Sequence, residues 1–532
     1  MAADAPGVAA QRELASTLRA LLGWESLEPC EAVPVAALTL PEPRVRPPGP
    51  LAAITSTDGR DRAQHSYGRS YRDVARAHAG RFDHPPDAVV RPTSQAEVAH
   101  VLEWAAGAAV AVVPYGGGSS VCGGVEPDVG EAASGVVSLD LERLSGMFEV
   151  DTTDLAARFG AGTYGPAVNR ALRPHGLTLR HFPQSFEFST VGGWVATRAG
   201  GHFATGPTHI DDFVESITME TPAGPWSSRR LPGSGAGPSP DRMVLGSEGT
   251  LGVICDAWLR VQRRPTFRAS ASVGFPTFRA GLDAVRALAQ SGLAPTNCRL
   301  LDPVEALLAG ATAPGADGAV LIVGFEGADH PLGAALHRAL ELCADHGGSH
   351  DPDAVSVREH ADRPRRTGAE EAWRSSFLRA PYRRDALIAL GAVVETFETA
   401  CLWSRFDETD AAIRRAVDEA MAAADLEGTV SVRATHAYPD GVAPYYTVLA
   451  RPTDGPCDVA ERVARWDAVK AASMDAIDST RATATHHHAV GRDHRRAYDR
   501  QRPDLFAEGL RAVKGRLDPT GIMNPGVLID TN

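Results

Sequence analysis

Residues 114–124 read PYGGGSSVCGG and follow directly on a short, wholly apolar run, Val110, Ala111, Val112 and Val113. Glycines packed this densely exclude a regular helix. They let the backbone approach a ligand closely and turn successive N–H groups toward one anionic centre. Phosphate can be held this way without basic side chains, which suits a chain with 53 Lys and Arg, 66 Asp and Glu and a formal net charge of −13. An ordinary glycine-rich turn stays open as the alternative. A nucleotide-hydrolysing P-loop does not, because no Lys followed by Ser or Thr comes after the second glycine. A G-x-G-x-x-G fingerprint would have to open a helix, and Val121-Cys122-Gly123-Gly124 is a poor helix start.

A chain of 532 residues, 43% of them hydrophobic, exceeds what one core usually serves, so two or more domains are expected. Lys and Arg are scattered and form no basic stripe, which argues against a nucleic-acid partner. The longest apolar stretches, such as 105–113, fall far short of the ~20 residues a bilayer span needs. The first residues also lack a basic-then-apolar leader. These features predict a cytoplasmic protein without a transmembrane segment. The seven cysteines are widely spaced and form no C-x-x-C pair, so neither a disulfide framework nor a zinc cluster is expected.

Residues 1–84 combine a helix-like start (Leu14, Leu18, Leu21, Leu22) with a Pro-rich stretch at 41–50 and read as a partly helical N-terminal arm. From 85 to 264, helix patterns (94–105, with Val98, Val101, Leu102 and Ala105 on one face; 163–172) alternate with strand patterns (110–113, 136–139, 253–261), as in an α/β domain. Residues 231–240, LPGSGAGPSP, have the composition of an exposed loop. Between 265 and 480, long helix patterns (281–293, 332–346, 408–426, 459–477) interleave with strand candidates (319–325, 430–434, 445–450) in what reads as a separate cap domain. Residues 481–532 form a C-terminal segment with a helix at 505–517, ended by Asp518-Pro519-Thr520-Gly521.

Three further segments bring hydroxyl residues and glycines to loop or strand ends: QSFEFSTVGGW (184–194), TRAGG (197–201) and GSEGTLGVI (246–254). Together with PYGGGSSV, in this order, they resemble the FAD-binding elements of the vanillyl-alcohol oxidase (PCMH) type flavoprotein superfamily. Within it, the chain resembles the alkylglycerone-phosphate (alkyl-dihydroxyacetonephosphate) synthases, from HSYGRSYRDVARAHAGRF at 65–82 to DPTGIMNPG at 518–526.

The resemblance implies an α+β fold, with a two-subdomain FAD-binding domain over 85–264, an α/β cap over 265–480, and a C-terminal segment that completes the active site. FAD would be held non-covalently, with no metal. Pro114, Tyr115, Gly116, Gly117, Gly118, Ser119 and Ser120, with Val121 beside them, would cradle the diphosphate. Gln184, Ser185, Ser189, Thr190, Gly192, Gly193, Thr197, Arg198, Ala199, Gly200, Glu248, Gly249, Thr250, Gly252 and Ile254 would complete the pocket. Gln184 departs from the Asp expected at that position.

Three adjacent imidazoles in THHHAVGR (485–492) need an explanation of their own. Neighbouring side chains on a strand point to opposite faces, so three rarely reach one metal ion. A packed structural cluster and an acid/base or anion-binding role both stay open. The synthases carry a similar HHH-G-V-G segment, which places His486, His487 and His488 in the active site, with Ala489 standing where they have glycine. The resemblance also assigns Tyr445 as the catalytic tyrosine, Arg384 as the holder of the acyl carboxylate, and Arg299 as a further arginine needed for activity. Without the resemblance, Tyr445 reads as an aromatic on a half-buried strand and both arginines as surface or structural. To act as a base near pH 7, Tyr445 needs its pKa of ~10 lowered by ~3 units, about 4 kcal/mol of differential stabilisation; nearby cations could supply it.

The reaction so implied is ether-lipid synthesis. The acyl group of an acyl-dihydroxyacetone phosphate is exchanged for a fatty alcohol while flavin N5 carries the three-carbon unit, in a homodimer that can touch a membrane surface transiently. Here Gly201 is followed by His202-Phe203-Ala204-Thr205-Gly206 instead of the synthases' G-M-K-K-N type segment. Two lysines are thus absent, which leaves room for a non-phosphorylated substrate. The rival reading is an FAD-dependent oxidase or dehydrogenase of a 2-hydroxy acid or alcohol, with hydride passing to the flavin and a histidine as base. A flavin-binding protein without catalysis is a third.

Overall fold

The structure, a computed structural model, describes residues 7–24, 27–311, 318–358, 382–455 and 457–530. Its first half holds two sheets. A four-stranded sheet runs Thr55–Ser56, Ala88–Val90, Gly135–Asp140, Val110–Tyr115, with the last three strands parallel. A five-stranded antiparallel sheet runs Met147–Asp151, Ala156–Gly160, Val253–Arg260, Val214–Thr221, Gly224–Ser227. One apolar core spans both sheets. The parallel strands are buried on both faces, which is why they read as continuous Val/Ala runs without alternation.

Helix Gln95–Ala108 shows how local sequence sets this layout. Ser94 caps it by accepting from the Glu97 N–H at 3.3 Å, and Val98, Val101 and Leu102 are fully buried on one stripe. Each such side chain contributes about 1.5–3 kcal/mol on leaving water. Its C-cap, Ala109, takes a left-handed conformation that turns the chain straight into strand Val110–Tyr115.

The second half builds an eight-stranded antiparallel sheet: Ser356–Arg358, Phe267–Phe275, Ala319–Gly327, Asn297–Leu301, Leu426–Ala437, Gly441–Pro452, Val393–Glu398, with Cys401–Leu402 also pairing Gly441–Pro452. Helices Phe278–Gln290 and Gly333–Asp345 share one core with it, and Phe406–Ala423 and Val459–Ser479 share another. The N-terminal helix Val8–Leu22 joins the latter through Ala15 and Leu18, so part of the arm belongs to the cap's core. Elsewhere the arm adds strand Thr55–Ser56 to the first sheet.

The C-terminal segment returns to the first half. Val112 donates its N–H to Ile522 and accepts from Asn524, while the Asn524 side-chain amide donates to the carbonyls of Gly124 and Glu248. The turn is anchored by buried Lys514, whose Nζ reaches Asp518, Thr250 O and Met523 O at 2.6–2.8 Å. No helix among the described residues is long and apolar enough to cross a membrane.

Candidate active site

The glycine loop leaves the end of strand Val110–Tyr115 and lies against residues 188–190. A Cβ on Gly117 would run into the Phe188 carbonyl, one on Gly116 into the Thr190 hydroxyl, and Gly118 sits at φ +63° with no room beside the Tyr115 phenol. Only glycine allows that approach. The main-chain N–H groups of residues 117–121 find no protein acceptor among the described residues, and they face a cavity of about 340 Å³. That volume lies within the range of ligand pockets, roughly 300–1,000 Å³.

Of the residues expected to contact a cofactor, all but two line this cavity. They are the loop itself (114–121), Gln184, Ser185, Ser189, Thr190, Gly192, Gly193, Thr197, Ala199, Gly200, Glu248, Gly249, Gly252 and Ile254. Arg198 turns away instead. It is the left-handed C-cap of helix Val191–Thr197 and pairs with buried Asp211 at 2.8 Å on the far side. Thr250 is fully buried, its hydroxyl donating back to Ser247 O at 2.7 Å.

The opposite wall comes from the cap sheet and the C-terminal segment. A row of residues runs across three strands in register: Arg433 pairs with Tyr445, and Tyr445 with Glu398. Arg433 lies over the Tyr445 ring, 3.8 Å from its centroid, and is neutralised by Glu305 at 2.8 Å. Tyr445 faces the cavity, whereas Tyr446 points to the other face and donates to Asp410. Burial raises the Tyr445 hydroxyl above the ordinary phenol range, outweighing the downward pull of Arg433 and Arg384. The cations are present, but they do not lower this pKa as the sequence suggested.

Arg384 also lines the cavity, and its Nε has no acceptor among the described residues. Arg299 does not reach the cavity. It is fully buried behind the wall and bonds the His202 ring and carbonyl at 3.1 and 3.0 Å, and burial, aided by Arg433, lowers it to about 9.

The three histidines divide. His487 and His488 line the cavity, while His486, with His487 beside it, lines a second one of about 960 Å³ on the other side of the loop. There its Nε2 lies 2.6 Å from the Tyr438 hydroxyl and 3.3 Å from His209 Nε2. Ring nitrogens of His436, His486 and His487 come within 4.8 Å of one another. Each already has a hydrogen-bonding neighbour: Tyr438 engages His486 Nε2, His486 Nδ1 lies 3.0 Å from His487 Nδ1, and the Gly201 carbonyl and Thr435 hydroxyl engage His436. Burial and mutual proximity push His436, His486, His487 and His488 below the ordinary histidine range, so near pH 7 they are neutral.

Two buried carboxylates that the motifs did not single out for this purpose hold the histidine loop. Glu398 accepts the N–H groups of His486, His487 and His488 at 2.6, 2.9 and 2.8 Å, and the Thr485 hydroxyl at 2.7 Å. Glu248 accepts from Val490 and Gly491, both at 2.8 Å. Ala489, at φ +70°, makes the turn between the two sets. Burial alone would raise the Glu398 carboxyl, yet the surrounding imidazoles and main-chain donors hold it well below the usual range. Val393–Glu398 is a strand that the sequence patterns did not single out, and the partners of Glu398 lie some ninety residues on, so this role was not visible there.

This arrangement fits a dinucleotide cofactor, with uncommitted amides at 117–121 for a diphosphate and a cavity lined further by glycines and by Tyr445, His487 and His488. The FAD binding domain family matches residues 86–227, and the C-terminal domain of the FAD linked oxidases matches residues 264–528. An alkyldihydroxyacetonephosphate synthase of Trypanosoma brucei brucei is 27% identical over 500 residues, 89% of this chain and 78% of that protein. Its namesake from Dictyostelium discoideum is 29% identical over 485 residues, 88% and 77% of the two chains. A solved alkyldihydroxyacetonephosphate synthase structure superposes with a TM-score of 0.78 at 23% identity, covering 97% of this chain and 92% of that one, which shows a shared fold. The two family matches and these relatives identify an FAD-dependent enzyme. The chain belongs to the FAD-linked oxidase family with the PCMH-type fold, as an alkyldihydroxyacetonephosphate synthase-like member.

Proposed function

We propose that the enzyme exchanges the acyl group of an acyl-dihydroxyacetone phosphate-like substrate for a fatty alcohol. The observation that carries this reading is the meeting, in one cavity, of the uncommitted amides at 117–121 with Tyr445, Arg384, His487 and His488. Bound FAD supplies a ring able to exchange electron pairs with the reacting carbon. The amides would hold its diphosphate, with Gln184, Ser185, Thr190, Thr197 and Glu248 around the rest. Overall, the bond from the substrate carbon to the carboxylate oxygen breaks, a bond to the alcohol oxygen forms, and the alcohol's proton is released. No net oxidation occurs.

Arg384 suits the departing carboxylate, because a guanidinium offers a planar pair of donors. With a phenol pKa of ~10 or above, fewer than about one Tyr445 in a thousand is ionised at pH 7. The neutral imidazoles of His487 and His488 are therefore the ready proton acceptors, and Tyr445 holds its proton beside the reacting carbon until they draw it off. Arg299 acts from behind the wall by fixing His202. The second cavity supports a chain-bearing substrate. Leu251, Leu510 and Val513 line it, Met243, Leu505 and Phe506 are exposed on residues bordering it, and His486 and His487 stand at its inner end. Such an apolar rim also suits transient contact with a membrane surface. The seven free thiols support a cytoplasmic location, and the homodimer is carried over from the synthase resemblance.

The neutral histidines and the family's oxidase membership favour a second reading, dehydrogenation of a 2-hydroxy acid. Isotope exchange decides between them. Purified holoenzyme given an acyl ketone and labelled fatty alcohol should incorporate label without consuming oxygen, and Tyr445→Phe should lose at least ~10²-fold in rate. Anaerobic bleaching of the flavin by a hydroxy acid, with no alcohol incorporation, would overturn the synthase reading.

A further inference from the structure

We infer that Glu398 is a positioning residue for the chemistry: its carboxylate sets the direction of the histidine loop and provides the counter-charge for a proton arriving on His487 or His488. The inference rests on the reading that these two imidazoles accept protons. Its geometric basis is independent of that reading. Glu398 is fully buried at the end of strand Val393–Glu398, and it gathers three consecutive main-chain N–H groups and one hydroxyl. Consecutive N–H groups converge on one carboxylate only if the backbone curls around it, so the three rings must fan outward. They do: neighbouring ring planes meet at 88° and 69°, with His488 on the first cavity, His486 on the second and His487 between them, lining both.

The same carboxylate lies within 3.5–3.8 Å of the Nδ1 atoms of all three rings. Other charges facing the loop oppose a proton there. Arg299 and Arg433 come from the cap sheet and Lys470 from helix Val459–Ser479. Of the neighbouring titratable groups, His209, His436 and His494 add repulsion when charged, while burial raises the Tyr438 and Tyr445 hydroxyls and keeps them neutral, so neither serves as a counter-anion. Glu248 is spent on Val490 and Gly491. Glu398 is the carboxylate in contact with the rings, so an imidazolium formed in turnover depends on it for stabilisation.

The test compares wild type, Glu398→Gln and Glu398→Asp as FAD-loaded enzymes. In the Gln variant kcat should fall by roughly 10²-fold or more, with KM changed less than about threefold and the acid limb of the kcat/KM profile moved down by about one pH unit. The Asp variant, which keeps the charge, should restore the limb while leaving kcat reduced. In parallel, histidine C2–H NMR resonances, assigned through single His487 and His488 substitutions, should titrate at lower pH in Glu398→Gln than in wild type. An unmoved limb and unmoved resonances, with only FAD content or melting temperature affected, would mean a purely structural glutamate and overturn the inference. If Glu398→Gln does not fold, a wild-type kcat in Glu398→Asp overturns it equally. A wild type that bleaches with hydroxy acids but makes no ether defeats the synthase reading alone. The variants are then compared in that reductive reaction, and the NMR comparison stands.

Discussion

Glu248 offers the most direct quantitative check on how the histidine loop is held. It lines the cavity at a left-handed backbone position, φ +50°, and accepts from two main-chain N–H groups. Burial lifts its carboxyl to about 7 from an ordinary 4.5, and the two hydrogen bonds oppose that rise only in part. The folded state therefore binds this proton more tightly than the unfolded chain does. The associated stability is fully present below pH 4.5 and is lost as pH climbs through 7. A difference of about 2.5 units at ~1.4 kcal/mol each amounts to about 3 kcal/mol by pH 8. Glu248→Gln keeps the shape and removes the titration; its amide N–H₂ facing a main-chain donor subtracts an offset independent of pH. Urea unfolding of FAD-free wild type and variant from pH 4.5 to 8 should thus show the wild type losing about 3 kcal/mol relative to the variant. Asp73, raised to about 7, and Asp302, raised to about 6, titrate in the same window in both proteins and cancel. Parallel stability curves would refute the reasoning.

Gly118→Ala places a Cβ at φ +63° against the Tyr115 phenol. The left-handed backbone alone costs about 1–2 kcal/mol, so FAD affinity, read by equilibrium dialysis, should weaken about tenfold while the far-UV circular dichroism stays unchanged. Ala489→Gly relieves the same kind of strain at φ +70° and should raise the thermal midpoint in a calorimetric scan, for a gain of up to ~1 kcal/mol. An unchanged or lower midpoint contradicts this. Lys514→Met leaves Asp518 buried without its cation, a loss of about 3–5 kcal/mol, and should release the C-terminal turn to limited proteolysis.

Much of the fold was legible because its signals are local. The 94–105 pattern became Gln95–Ala108, with Ser94 as its cap, and 332–346 became Gly333–Asp345. The cap strands were read short, 430–434 for Leu426–Ala437 and 445–450 for Gly441–Pro452, for a physical reason. Their ends carry Thr435, His436 and Gly441, which resemble a loop, whereas in the sheet the first two are buried and hydrogen-bonded. The arm misled differently. Nothing in Leu14 or Leu18 says whether a helix will wrap a surface or join a core, because that depends on the partner surface supplied by residues 388–477.

The site divides along the same line. A glycine loop announces itself because the demand for small residues is met within a few positions. A carboxylate that organises a loop announces nothing, since Glu395 and Glu398 look alike in ETFE. One binds Trp466 and Lys470 at 2.6 Å as a cap-core ion pair, the other collects the N–H groups beneath the histidines. What separates them is cross-strand register. Glu398 stands opposite Tyr445, at the end of the strand nearest the C-terminal segment, and Glu395 stands opposite Val448, three residues deeper in the sheet. The parity of an antiparallel pair sends those two side chains to opposite faces, and a one-residue slip would exchange them. The face that Glu398 and Tyr445 share is therefore fixed by the register in which Val393–Glu398 pairs with Gly441–Pro452, which no short segment of sequence reveals on its own.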